Sequence, residues 1–317
     1  MPDLRDTRQL PLFTQQPERP EDISRATPFK HTFALFQQHL LKDGKSTHTV
    51  KAFTGDLHLV ADYAGNADRP VGDFSTADLD AFLHWLELGR GVPCSPKSYA
   101  RRVTTLKVYF KWLHTLGVLP HDPARAVIQR SMQAPLSDAL SIAQARAALE
   151  AARTFKYRKT DEQDYRPELL LRLLLETGIK KNEAMSLTPT HIDREDPRHP
   201  VLNVRFKVRS VFKERRIPLE PDWVTLLDLY LEQYGLEDVI FHCTPRNLEY
   251  ILSDIGEKIG LEFKLSFEVL RWTSAVHDYL RGMEEDDIRQ KLGLSDVSWH
   301  ETGTKVRKLA ERFRSKT

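Results

Sequence analysis

Apolar residues recur at three- and four-residue steps through most of this chain, the spacing that lines up one face of an α-helix. Phe33, Phe36, Leu40 and Leu41 share such a face within Phe29–Lys42, and Val50, Phe53, Leu57 and Val60 do so within Ser46–Ala64. Ser75–Leu88 opens Ser-x-x-Asp, a capping box, and carries Leu79, Phe82, Leu83 and Leu86. In Ser95–Leu116, Tyr99, Val103, Leu106, Phe110 and Leu113 line one side, with Lys97, Arg101, Thr104 and Lys111 opposite. The pattern predicts an all-helical domain over 28–130. Residues 1–27 are polar and aperiodic, which predicts a disordered tail, and 131–137 reads as a linker.

From 138 to 317 the pattern is mixed. Helices are predicted at Ser141–Arg153 and at Arg166–Thr177, whose leucines imply burial and which Gly178 ends. A short helix follows at Lys180–Leu187. Alternation at Val201–Lys207 and Arg215–Leu219, with the β-branched Val239–Phe241, predicts three strands of a small sheet. Further helices are expected at Pro221–Tyr234, Pro245–Ile259, Ser266–Gly282 and Glu285–Leu292, with a last one from Thr304 to Arg314. The fold class is mainly α with a small β-sheet.

The 317 residues suit two domains, and no apolar run reaches membrane-spanning length. Cys94 and Cys243 are too few and too far apart for a disulfide framework or metal site, so no metal or cofactor is expected, and a reducing cytoplasm is. The formal net charge is only +2, but its distribution is uneven. From Leu88 to His121 there is no acid, while Arg90, Lys97, Arg101, Arg102, Lys107 and Lys111 all fall there. A one-signed segment in a balanced chain marks either a solvated face or, as favoured here, a surface for phosphates.

Several stretches carry a resemblance. Ser46–Leu57 (STHTVKAFTGDL), Tyr109–Leu113 (YFKWL) with Leu119–Ala124 (LPHDPA), and Ser266–Thr304 together resemble the tyrosine recombinase (phage integrase) family across both domains. The resemblance implies a SAM-like helical core-binding domain, then an α+β catalytic-fold domain, in a two-domain Xer-like arrangement. It also implies a nucleoid-associated partner of double-stranded DNA that assembles as a homo-oligomer through its last helix, where Val306, Leu309, Ala310 and Phe313 form an apolar face. The pentapeptide Gln9-Leu10-Pro11-Leu12-Phe13 resembles the motif by which bacterial replication proteins dock on the sliding clamp; an accidental apolar pentamer is the other reading.

Members of the family attack a phosphodiester with a Tyr hydroxyl while Arg, His and a hairpin Lys stabilise the phosphorus and leaving oxygen. The matching positions here are degenerate. Thr177-Gly178-Ile179 leads to Lys180, not Arg, which keeps the charge but not the bidentate fork. The hairpin position falls on Ser210, or on Arg209 or Lys207 with a slip. Glu268 stands for His, Arg271 is retained, Leu294 replaces His/Trp, and Gly303 stands where the Tyr belongs. No catalytic set is intact, so the expectation is a pseudo-recombinase that binds DNA without cutting it; an active or partner-dependent recombinase is the alternative. Expected DNA-binding residues are Lys45, Thr49, Lys51, Lys97, Arg101, Arg102, Thr104 and Lys111 in the first domain. In the second they are Lys180, Lys181, Lys207, Arg209, Lys213, Arg246, Asn247, Arg271, Thr273 and His277. Arg215 and Arg216 are divided between DNA and the nearby Glu214 and Glu220.

Overall fold

The computed structural model describes residues 16–65, 69–92, 94–128, 136–208 and 211–315. The chain forms two compact units, 1–134 and 135–317.

The first unit is built on α1 (Phe33–Lys42), α2 (Thr47–Ala64), α3 (Thr76–His84) and α4 (Pro96–Thr115), with a single π-helical turn at Trp85–Gly89. Serine hydroxyls set three of the helix starts: Ser46 Oγ accepts from Thr49 N at 3.2 Å, Ser75 Oγ from Asp78 N at 3.3 Å and Ser95 Oγ from Ser98 N at 3.2 Å. Phe29, Phe36, Leu57, Phe82, Tyr109 and Phe110 fill the core. Order begins earlier than the composition suggested. Residues expected in a disordered tail include a 3-10 turn at Pro20–Asp22, and Ile23 is buried in the core. Backbone bonds pin this segment down: Val71 N donates to Thr27 O (3.0 Å) and Gly72 N to Arg25 O (2.9 Å). Polar composition hid it because one apolar side chain and its backbone bonds are enough to hold it.

The second unit packs helices around the apolar α6 (Tyr165–Thr177), which follows α5 (Ile142–Arg153) and leads into α7 (Lys181–Met185). A three-stranded antiparallel sheet comes next, ordered β1 (Ile192–Asp193), β2 (Val201–Val208), β3 (Val211–Pro218), with register from Val201 opposite Pro218 to Val208 opposite Val211. The third strand is therefore Ile192–Asp193 and not Val239–Phe241. Ile240 and Phe241 are apolar because they are buried in the core, and Ile240 N meets Leu187 O in a lone hydrogen bond of 2.8 Å. Then follow α8 (Pro221–Tyr234), α9 (Pro245–Lys258), α10 (Phe267–Leu280), α11 (Glu285–Lys291) and α12 (Asp296–Arg314). The last helix starts eight residues before Thr304, capped by Ser295, so Gly303 lies in its interior. Val306, Leu309 and Ala310 are buried against Ala275, Val276 and Ile288 of the same unit. The apolar face expected to engage a neighbouring copy is used within this chain.

Candidate nucleic-acid interface

Three elements of the second unit converge on one depression of about 530 Å³, lined by Lys180, Lys181, Glu249, Lys264, Glu268 and Arg271. The short helix α7 supplies the two lysines and α10 supplies Glu268 and Arg271. Ser266 caps α10 by accepting from Val269 N at 3.3 Å, which places Arg271 in its second turn. The Arg271 guanidinium donates through Nη1 to Gly178 O and through Nη2 to Leu292 O, tying the end of α6 to the end of α11. Burial pushes its pKa down to about 10, with Glu183 opposing and Arg215 adding to the shift. It remains a cation at neutral pH. Lys180 N donates to Glu183 Oε2 (2.8 Å), and its ammonium is held below the usual lysine range by desolvation, against Glu183 and with Arg271 and Arg215. Among the described residues Lys180 and Lys264 make no ion pair, whereas Lys181 Nζ donates to Glu249 Oε1 at 2.7 Å.

Behind the depression lies a buried ion pair. Arg215 on β3 donates to both carboxylate oxygens of Glu183, at 3.0 and 2.7 Å, and through Nε to Lys291 O at 2.8 Å. Both partners are under 10% exposed. Burial alone would raise the Glu183 carboxyl, but the Arg215 guanidinium overcomes it and holds the pKa below its ordinary value. Arg215 therefore belongs to the scaffold of the pocket, and its partner is neither Glu214 nor Glu220. Arg216 donates to Asp193 Oδ2 at 3.0 Å.

The opposite end of the expected catalytic set is closed. Glu268 accepts from Trp272 Nε1 at 3.1 Å and brings a negative charge to the pocket. Leu294 is partly buried against the α10–α12 core. Gly303 is buried, and a Cβ built on it would fall 2.9 Å from the indole of Trp299, one turn earlier. That indole donates to Glu285 Oε2 (3.2 Å), and Arg307, one turn after Gly303, donates to both Glu285 oxygens at 2.7 and 2.8 Å. The space beside Gly303, where the nucleophile was expected, is filled by a side chain from the same helix.

Other expected contacts are sorted by the packing. Lys51, Lys97, Thr104 and Lys111 are exposed, and Thr104 donates back to Ala100 O. Lys45 pairs with Asp43 at 3.3 Å, and half-buried Thr49 shares a hydrogen bond with Ser46. Arg101 donates twice to buried Asp56, at 2.9 and 2.7 Å, while Arg102 is 3.5 Å from the same carboxylate and donates to Cys94 Sγ. Arg102, expected on the DNA face, is thus turned inward by Asp56. The signal was a carboxylate at a core position of α2, beside Phe53 and Leu57. Thr273 is fully buried, donating to Val269 O and accepting from Leu140 N, and His277 Nε2 bonds Leu140 O at 2.9 Å. Both residues fasten the chain before α5 onto α10, and Thr273 is thereby unavailable to DNA while His277 is half-buried; burial pushes the His277 pKa down. Asn247 accepts from Arg166, and exposed Arg246 donates to Tyr250 Oη at 2.8 Å. Lys213 is exposed. Arg209, Ser210 and the side chain of Lys207 lie outside the described residues, as do Gln9, Leu10, Leu12 and Phe13. No described helix is long and apolar enough to cross a membrane.

Comparison with known proteins finds the same arrangement of a helical domain followed by an α+β domain. Residues 33–117 match the model of the phage integrase N-terminal SAM-like domain. Tyrosine recombinase XerD of Listeria innocua is 25% identical over 284 residues, covering 85% of this chain and 92% of that protein. Tyrosine recombinase XerC of Roseiflexus sp. is 25% identical over 283 residues, 83% and 85% of the two chains. Among solved structures, XerH site-specific recombinase bound to palindromic difH substrate superposes with a TM-score of 0.68 at 15% identity, over 93% and 91% of the two chains. A lambda integrase dimer bound to a COC′ core site gives 0.68 at 17% identity, over 87% and 77%. Residues 33–117 thus match the phage integrase SAM-like domain, and most of the chain is similar in sequence and fold to tyrosine recombinases.

Proposed function

We propose that this chain binds duplex DNA on a tyrosine recombinase scaffold and does not cleave it. The observation that carries the reading is the interior of α12, where Gly303 offers no hydroxyl and the Trp299 indole occupies the space a side chain would need. Groups acting only in the transition state are missing, while Lys180, Lys264 and Arg271 still give the depression an excess of positive charge for a backbone phosphate. Exposed Lys51, Lys97 and Lys111 extend the grip onto the first domain. Higher-order assembly on DNA is part of the proposal, through surfaces other than the buried face of α12. Such a protein serves in chromosome organisation, replication control or transcription.

The retained cationic pocket also suits a second reading, in which a partner recombinase supplies the nucleophile. Incubating the protein with supercoiled plasmid, alone and with an active relative, separates the two. Retardation without relaxation in both cases supports the non-cleaving reading. Relaxation by the protein alone overturns it, and relaxation found only with both proteins, but not with the relative alone, favours the second.

A further inference from the structure

We propose that the tip bearing Leu88 and Val92 is an apolar wedge that enters between base steps of bound duplex DNA. The proposal rests on DNA binding by this scaffold. Leu88 is 76% exposed and Val92 59%, two large apolar side chains four residues apart at the end of a π-turn and in the bend that follows it. This stretch has a firm base. It begins in the π-helical turn Trp85–Gly89, whose Gly89 is approached so closely by the Trp85 ring that a Cβ there would fall 2.6 Å from Cδ1. That ring in turn rests on Tyr63 and Phe82, with centroids 5.1 and 6.1 Å away. Single π-turns of this kind cost regular hydrogen bonding and tend to sit at functional positions.

The charge from Leu88 onward points to the occupant. Glu87 precedes Leu88 on the π-turn, but Arg90 lies between the two apolar residues, and α4 starts just beyond them with no acid in its first turn and with exposed Lys97. The acid-free stretch from Leu88 to His121 contains the whole tip. A second copy docking tip to tip would bring like charges together, whereas a duplex offers phosphates for the cations and a stacked apolar interior for Leu88 and Val92. Proteins that unstack a base step use Leu, Ile, Met, Phe or Pro in this way beside basic residues.

Fluorescence anisotropy with the full chain tests the wedge, comparing a paired duplex of roughly 30 base pairs with the same duplex carrying one unpaired adenine. The bulge has already met the unstacking cost, so the wild type is expected to bind it roughly tenfold more tightly. The double variant Leu88→Ser/Val92→Ser is expected to lose that preference while binding the paired duplex within about twofold of wild type, because both side chains are exposed and their replacement perturbs stability little. A wild type that binds both duplexes equally overturns the wedge and leaves DNA binding standing; one that binds neither overturns both readings. A double variant that keeps the preference removes the wedge from this tip. Leu88→Trp adds a direct signal that does not depend on the double variant: its emission is expected to be quenched on adding duplex when compared with wild type, and an unchanged difference contradicts the proposal.

Discussion

At the head of α10, Arg271 keeps a fixed place between two backbone carbonyls, with an open polar depression in front of it; on α12, the position expected for a nucleophile is a glycine covered by an indole. The first end is a cation cluster framed by a buried carboxylate, and the second is a packed helix–helix contact. The difference teaches how two ends of one expected site can be built to opposite purposes. The charged pocket is held open and in place by its scaffold. The interior of α12 is filled by an indole and leaves no room for a side chain at Gly303.

The largest effect is expected where the cationic end is held together. Glu183→Gln removes the carboxylate charge that faces buried Arg215, and breaking such a pair costs about 3–5 kcal/mol. Urea unfolding of the variant is expected to show a loss of that size, and a loss under about 1 kcal/mol would mean that the pair does not frame the pocket.

The nucleophile end is tested by a change of sign. Gly→Ala inside a helix ordinarily stabilises by about 1 kcal/mol. Gly303→Ala is instead expected to destabilise by about 1–3 kcal/mol, the usual cost of overpacking, because its methyl meets the Trp299 ring. In a Trp299→Ala background the same substitution is expected to stabilise. Thermal melts of the four proteins decide the matter, and a Gly303→Ala that melts higher than wild type would show that the indole does not close the position.

Somewhat smaller is a pH effect at the end of α6, next to the carbonyl that holds Arg271. Burial pushes Glu176 up to about 7, with Glu220 and Asp222 adding to it, although Glu220 N and Arg172 oppose. A carboxyl whose folded pKa lies above its unfolded value binds more protons when folded, so its contribution is fully present below the unfolded pKa of 4.5 and is lost as pH rises through about 7. Glu176→Gln is therefore expected to gain stability relative to wild type at pH 8, by on the order of 1–2 kcal/mol, and to lose that advantage near pH 5. A difference independent of pH would contradict the assignment. The smallest effect concerns Glu268, whose removal as a charge by Glu268→Gln is expected to tighten duplex binding by roughly fivefold at low salt, about 1 kcal/mol. Equal affinities in an anisotropy titration would place that carboxylate away from the phosphates.

Much of this was legible in the sequence, and for identifiable reasons. Helical spacing located α1 to α4 and the later helices because their apolar faces are continuous and their serine caps are local features. The hairpin of β2 and β3 was legible from alternation, but Val239–Phe241 was not separable from a strand, since burial in the core and pairing in a sheet both select β-branched residues. Lys180, Glu268 and Arg271 were assigned to one site by the resemblance, which matches the stretches after Gly178 and Ser266 to the recombinase motifs, and the three do line one depression. The charges that matter most to its frame were not. Glu183 and Arg215 are 32 residues apart, and Asp56 captures Arg101 and Arg102 from 45 and 46 positions away. A helical wheel shows a basic face and gives no sign of a carboxylate reaching across from another helix. Thr273 was misassigned for the same reason: polarity on α10 signalled a surface, while Thr273 is buried and meets the hydrogen-bonding needs of Leu140, with His277 bonded to the same residue.

The claim that the chain grips DNA without cutting it is tested most directly with a nicked suicide duplex, from which any attacking residue is left covalently attached to a phosphate. Denaturing gels of the purified protein after incubation with labelled duplex are predicted to show free DNA only, although the same mixture is retarded on a native gel at moderate salt. A labelled band that survives denaturation and disappears on protease treatment would contradict the account.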